Sequence, residues 1–108
     1  MPLPKFLKVG ASKYKVEGPF LIDDTTDLLG QTQHNGGFIK VRQFNHSASQ
    51  QRDTLLHEAL HAIFYVSGGQ MALGIGDEDE ERIIRVLTPW ILAVLRDNPA
   101  LVSYILEK

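Results

Sequence analysis

Between Leu55 and Phe64 the chain reads LLHEALHAIF, an apolar helical run interrupted by two histidines and a glutamate. Residues four apart on a helix lie one turn apart on the same face, so His57 and His61 aim two imidazoles at one point. Zinc accepts imidazole nitrogen at about 2.0–2.1 Å, and this spacing suits a two-point grip from a single helix. Glu58 stands beside His57, poorly placed as a third ligand but within reach of a water at the site. His-Glu-x-x-His is therefore the pattern of a zinc hydrolase in which the glutamate is the general base. The flanking residues fit that pattern. Leu55, Leu56, Ala59, Leu60 and Ile63 form an apolar stripe that anchors the helix. Two histidines in such a helix have no packing role, and burying their imidazoles unpaired is costly.

A catalytic zinc site needs a third protein ligand. One large class of zinc peptidases adds a glycine and a histidine three and six residues after the second histidine; here those positions hold Phe64 and Ser67. Deformylase-type sites use a cysteine, and the chain has none. His34 and His46 lie upstream. The economical source is the acidic run Asp77-Glu78-Asp79-Glu80-Glu81, which opens the next helical segment. The apolar residues Ile83, Ile84, Val86, Leu87, Trp90, Ile91, Val94 and Leu95 define that helix's inward face, whose mean direction falls between Leu87 and Ile91. Glu80 projects within roughly 30° of that direction, while Glu78 and Glu81 point well away. Glu80 is the predicted third ligand, with Glu81 as the fallback. Asp77, Glu78 and Asp79 read as a solvated helix start favoured by the macrodipole.

The elements that must position these residues read as α+β. Phe6–Val9 and Tyr14–Glu17 form an N-terminal hairpin around Gly10–Lys13, ended by Gly18-Pro19. Asp23–Asp27 opens a helical turn through Leu29. Asn35-Gly36 joins a second hairpin whose return strand is Phe38–Arg42. The histidine-bearing helix spans about Gln50 to Ser67, with Ser47 or Ser49 as N-cap and Gly68-Gly69 as its stop. Gln70–Gly76 is a connection. The second helix runs from Asp77 to about Arg96, with Pro89 expected to kink it or loosen one turn. Asn98-Pro99 caps and launches a short terminal helix, Ala100–Leu106. Two hairpins first and helices after give a small sheet with one face covered by the active helix.

The 108 residues, 44% of them apolar, suffice for one domain spanning 1–108 with a modest core. The net charge of −2 gives no reason to expect nucleic acid or an anionic membrane as a partner. Without cysteine, disulfides, thiolate metal sites and thiol nucleophiles are excluded. MPLPKFLKVG lacks the apolar run of a signal peptide, and no segment is long enough to span a bilayer. A soluble, cytoplasmic protein is the expectation.

His-Glu-x-x-His followed by a glutamate on a second helix resembles the gluzincin arrangement. In a chain this short it looks like the minigluzincins and the small metallopeptidases encoded by bacteriophages and prophages. More distantly it is similar to the ImmA/IrrE-type metallopeptidases, which are usually larger. The resemblance extends from Val9 to Pro99 and includes YKV, IKV, TLLHEALHAI and EERIIRVLTPWILAVLRDNP. It implies a zincin-like core and a zinc-dependent peptidase, with His57, His61 and Glu80 as ligands and Glu58 as base. It also implies that the strand Phe38–Arg42 lies along the cleft, where an extended substrate pairs with its edge. For a phage-encoded chain the location is the host cytoplasm. Thermolysin-like relatives carry a second domain whose histidine stabilises the transition state. That domain is absent here; of the stand-ins His34, His46, Tyr65 and Tyr104 the sequence selects none, and each reads more simply as a turn, loop or surface residue.

The expected reaction is peptide hydrolysis, with Glu58 taking a proton from water and passing it to the leaving amine. Two alternatives remain open at this stage: a zinc-stabilised regulatory or binding module with little turnover, and a latent enzyme whose cleft is filled by part of its own or a neighbouring chain.

Overall fold

A computed structural model describes residues 2–18, 29–42 and 46–107. The helical turn expected over Asp23–Leu29 falls almost wholly outside these residues. Strands β1 (Phe6–Val9), β2 (Ser12–Glu17), β3 (Gly30–Gln33) and β4 (Phe38–Val41) precede helices α1 (Ala48–Ser67), α2 (Gly69–Leu73), α3 (Asp77–Asp97) and α4 (Pro99–Ile105). The fold is α+β.

Both expected hairpins form. In the first, Val9 pairs with Ser12, so the turn is the two residues Gly10-Ala11 and β2 begins two positions earlier than predicted. Gly10 has φ of 59°, the left-handed conformation that two-residue hairpin turns demand and that glycine adopts without penalty. In the second, Gln33 pairs with Phe38 across a four-residue turn. The hairpins then join through β2 and β4, which run parallel, giving the order β1-β2-β4-β3 and a mixed sheet. This corrects one expectation. The strand Phe38–Arg42 is interior, and β3 is the outer strand beside α1.

Alternation along β2 buries Tyr14 and Val16 and leaves Lys13 and Lys15 in solvent. Ile39 and Val41 of β4 and Ala62 of α1 complete a core, with Leu3, Leu7, Val9 and Leu55 packed around it. The side of α1 facing the sheet is Thr54, Glu58 and Ala62, spaced four apart. The predicted stripe is thus rotated. Leu55 packs on the core, but Ile63 is 45% exposed, because two positions of the inward face are polar and look into a cleft.

The helix ends follow local chemistry. Ser47 Oγ accepts from Gln50 N at 3.1 Å, and Gln50 Oε1 accepts from Ser47 N at 2.8 Å, closing a capping box. Gly68 ends α1 in the left-handed conformation. Helix α2 occupies part of the expected connection; five residues are too few to show an apolar period. Helix α3 runs unbroken through Pro89, and Thr88 Oγ1 donates to Ile84 O at 2.7 Å one residue before it. Asn98 holds the N-cap position of α4 with Pro99 opening the helix, as expected, but its side chain makes no capping hydrogen bond. Its Nδ2 donates back to Val94 O at 2.9 Å.

Helix α3 packs on α1 through Glu80, Ile84 and Thr88. Beyond that contact Val86, Leu87, Trp90, Val94 and Leu95 are exposed, although they helped to define the predicted inward face. Among the described residues no helix is long and apolar enough to cross a membrane.

Candidate metal centre

The His57 and His61 rings stand 5.0 Å apart, inclined by 67°, on one face of α1 as the spacing requires. Their Nε2 atoms meet the same carboxylate. Glu81 Oε1 lies 2.9 Å from His57 Nε2, and Glu81 Oε2 lies 2.8 Å from His61 Nε2. The donor atoms of His57, His61 and Glu81 lie within 4.8 Å of one another, so this group could hold a metal ion.

The donor set fits such an ion. Two imidazoles and a carboxylate are borderline-hard donors of the kind zinc takes, and three protein ligands leave a fourth position for water or substrate.

Glu80, the predicted ligand, occupies a different place. It points inward as the helical periodicity requires and is 8% exposed. Its Oε2, however, lies 2.5 Å from His61 Nδ1, on the far side of the ring from the Nε2 atoms. Its Oε1 accepts from Gln70 Nε2 at 3.0 Å, and Gln70 also donates to Asp77 Oδ1 at 2.7 Å. Both Glu80 oxygens are therefore engaged, and the acid brought to the histidine Nε2 atoms is the fallback, Glu81. The apolar face of α3 gives the direction toward the axis of α1. The two Nε2 atoms meet to one side of that line, and one residue, or 100° of helix, separates the acids.

Carboxylates hold both nitrogens of His61. Burial lowers its pKa, but the hydrogen bond to Glu80 and the charges of Glu58 and Glu81 outweigh burial and raise it above the ordinary value. A metal held at His61 Nε2 would take the place of any proton there.

Glu58 is 7% exposed. Burial raises its pKa, and the Thr32 hydrogen bond with the charges of His61 and His57 only partly offsets this. Thr32 Oγ1 lies 2.7 Å from Glu58 Oε1 and 3.2 Å from Glu58 O, donating to α1 from the neighbouring strand. Strand β3 comes this close because of Gly30. A Cβ there would stand 2.5 Å from Thr54 Cγ2 and 3.0 Å from Glu58 Cγ. No sequence signal marks Thr32, Gly30 or Gln70; their roles arise only from how the elements pack.

These groups line a cleft of about 1020 Å³ walled by β3, α1 and the first half of α3. His34, in the β3–β4 turn, lines it too. His46 does not join the group; it is buried at the start of α1 with Nε2 3.0 Å from Thr54 Oγ1. Tyr104 is exposed on α4.

No family model, curated protein or solved structure matches this chain. A functional reading must stand on the chain's own residues.

If the cleft hydrolyses peptides with Glu58 as the base, Thr32→Val is expected to lower turnover by about 10-fold with little change in KM or zinc content. One hydrogen bond to a charged group contributes about 1.5–3 kcal/mol, part of which orients the base. Thr32→Ser, which keeps the hydroxyl, restores the rate. Equal turnover in wild type and Thr32→Val would show that Glu58 is positioned without Thr32.

Proposed function

We propose that the chain is a zinc-dependent peptidase with a zincin-like core of the minimal gluzincin type. His57, His61 and Glu81 hold the metal, and Glu58 is the general base. The observation that carries this reading is the meeting of both histidine Nε2 atoms on one carboxylate, 2.8 and 2.9 Å away, beside a buried glutamate in a cleft.

A metal held there supplies Lewis acidity, lowering the pKa of a water and polarising a carbonyl oxygen. The chain's own side chains do the rest. Glu58 takes a proton from the attacking water and delivers it to the leaving amine. Its raised pKa suits both halves of that task, because a carboxylate that binds protons more readily is a better base at neutral pH. Thr32 fixes one carboxylate oxygen and leaves the other to work. Glu80 accepts from His61 Nδ1, which fixes the ring and directs Nε2 to the metal position. Strand β3 has no strand on its outer side among the described residues, so an extended peptide can pair along the cleft by β-augmentation.

The direct test is incubation of the zinc-loaded protein with an unfolded protein such as reduced casein. Cleavage should appear with zinc, stop on chelation and return when zinc is restored. Stoichiometric zinc without cleavage of unfolded or folded substrates would favour a metal-stabilised binding module instead.

A further inference from the structure

His34 belongs neither to the ligand group nor to the proton transfers described above, yet its ring is firmly held at the cleft. It stacks on Tyr65 with centroids 4.1 Å apart and planes 6° from parallel. Its Nδ1 lies 3.2 Å from the Tyr14 hydroxyl, and the Tyr14 ring meets it edge-on. Tyr14 is a core residue only 2% exposed. Tyr65 follows His61 by one turn on the same face of α1, so the stack sets His34 about one helical turn along α1 from His61.

The direction of the Tyr14 hydrogen bond determines what His34 offers. A buried phenol keeps its proton, and burial raises the Tyr14 pKa further. That hydroxyl proton needs an acceptor, and among the described residues His34 Nδ1 is the one it meets. Burial also lowers the His34 pKa, although Glu80 opposes this, so the ring is neutral near pH 7. A neutral imidazole that accepts at Nδ1 carries its proton on Nε2. The cleft is thereby given one N–H donor whose tautomer is set by Tyr14 and whose plane is set by Tyr65.

We propose that His34 Nε2–H binds the scissile carbonyl oxygen of a peptide substrate and holds it as negative charge develops there. The assignment rests on the peptidase reading and supplies, from the β3–β4 turn, a donor for the oxyanion. Such preorganised donors typically contribute a factor of about 100–1000 in rate.

The test compares two compounds on zinc-loaded wild type, His34→Ala and Tyr14→Phe, by titration calorimetry with zinc content measured alongside. Acetohydroxamate engages the metal alone; a phosphonamidate dipeptide presents two tetrahedral oxygens, one of them at the carbonyl position. His34→Ala should bind the phosphonamidate about 100-fold more weakly while hydroxamate affinity and zinc content stay within about twofold. Nitrogen chemical shifts of the His34 ring should report the Nε2–H tautomer in wild type and a mixture in Tyr14→Phe. Undiminished phosphonamidate binding by His34→Ala, or an Nδ1–H tautomer in wild type, overturns the assignment and leaves the metal site standing. If zinc-loaded wild type binds neither compound, the peptidase reading itself fails and His34 falls with it.

Discussion

Glu58→Gln is expected to lose peptide hydrolysis by at least about 100-fold while retaining its zinc. The substitution is nearly isosteric. Its amide oxygen can still accept from Thr32, and none of the donor atoms of His57, His61 or Glu81 is altered. What disappears is the ability to take a proton from water and return it to the leaving amine. Because Glu58 is 7% exposed and pressed against β3, a neutral side chain there should also fold at least as well, since burial disfavours the charged form. Thermal unfolding measured beside activity should therefore show no loss of stability in the inactive variant. Wild-type turnover in Glu58→Gln would mean that another group activates the water. A variant that retains its cellular role while His57→Ala loses it would favour the binding module over the enzyme.

The parts of this site that were legible in the sequence are those carried by short-range geometry. His57 and His61 share a face because a helix repeats every 3.6 residues, and the helix is bounded by a Ser47 cap and a Gly68 stop that act within a few residues. Asn35-Gly36 marked the second hairpin for the same reason. The inward direction of Glu80 followed from apolar periodicity, although the most exposed contributor to that pattern, Trp90, is 70% exposed. What could not be read depends on how elements cross. The parallel pairing of β2 with β4 joins residues more than twenty apart and puts β3, not β4, beside the cleft. The contact of Thr32 with Glu58 spans 26 residues and depends on a glycine with no turn to announce it. Choosing Glu81 over Glu80 required knowing where two imidazole nitrogens meet, not where a helix faces.

That choice separates sharply in metal binding. Glu81→Ala is expected to lose most zinc affinity, because it removes a charged ligand and leaves two imidazoles from a single helix. Glu80→Ala is expected to weaken zinc by about 10–100-fold, the usual effect of removing a carboxylate that orients a ligating histidine. The physical difference lies in the His61 ring. With Glu80 present, Nδ1–H has a fixed acceptor and Nε2 is directed at Glu81 and His57 Nε2. Without it the ring still bears a competent nitrogen but must pay for its orientation from binding energy. Glu80→Gln keeps an acceptor oxygen for Nδ1–H and should recover part of the loss, whereas Glu81→Gln offers only a neutral amide oxygen and should recover little. Gln70→Ala, which removes the second hydrogen bond to Glu80, should show a smaller loss in the same direction as Glu80→Ala. Zinc titrations of the five variants against a competing chelator provide the comparison. Should Glu80→Ala abolish binding while Glu81→Ala binds as wild type does, the carboxylates exchange roles on metal loading and α3 must turn to bring Glu80 past the Nδ1 side of His61.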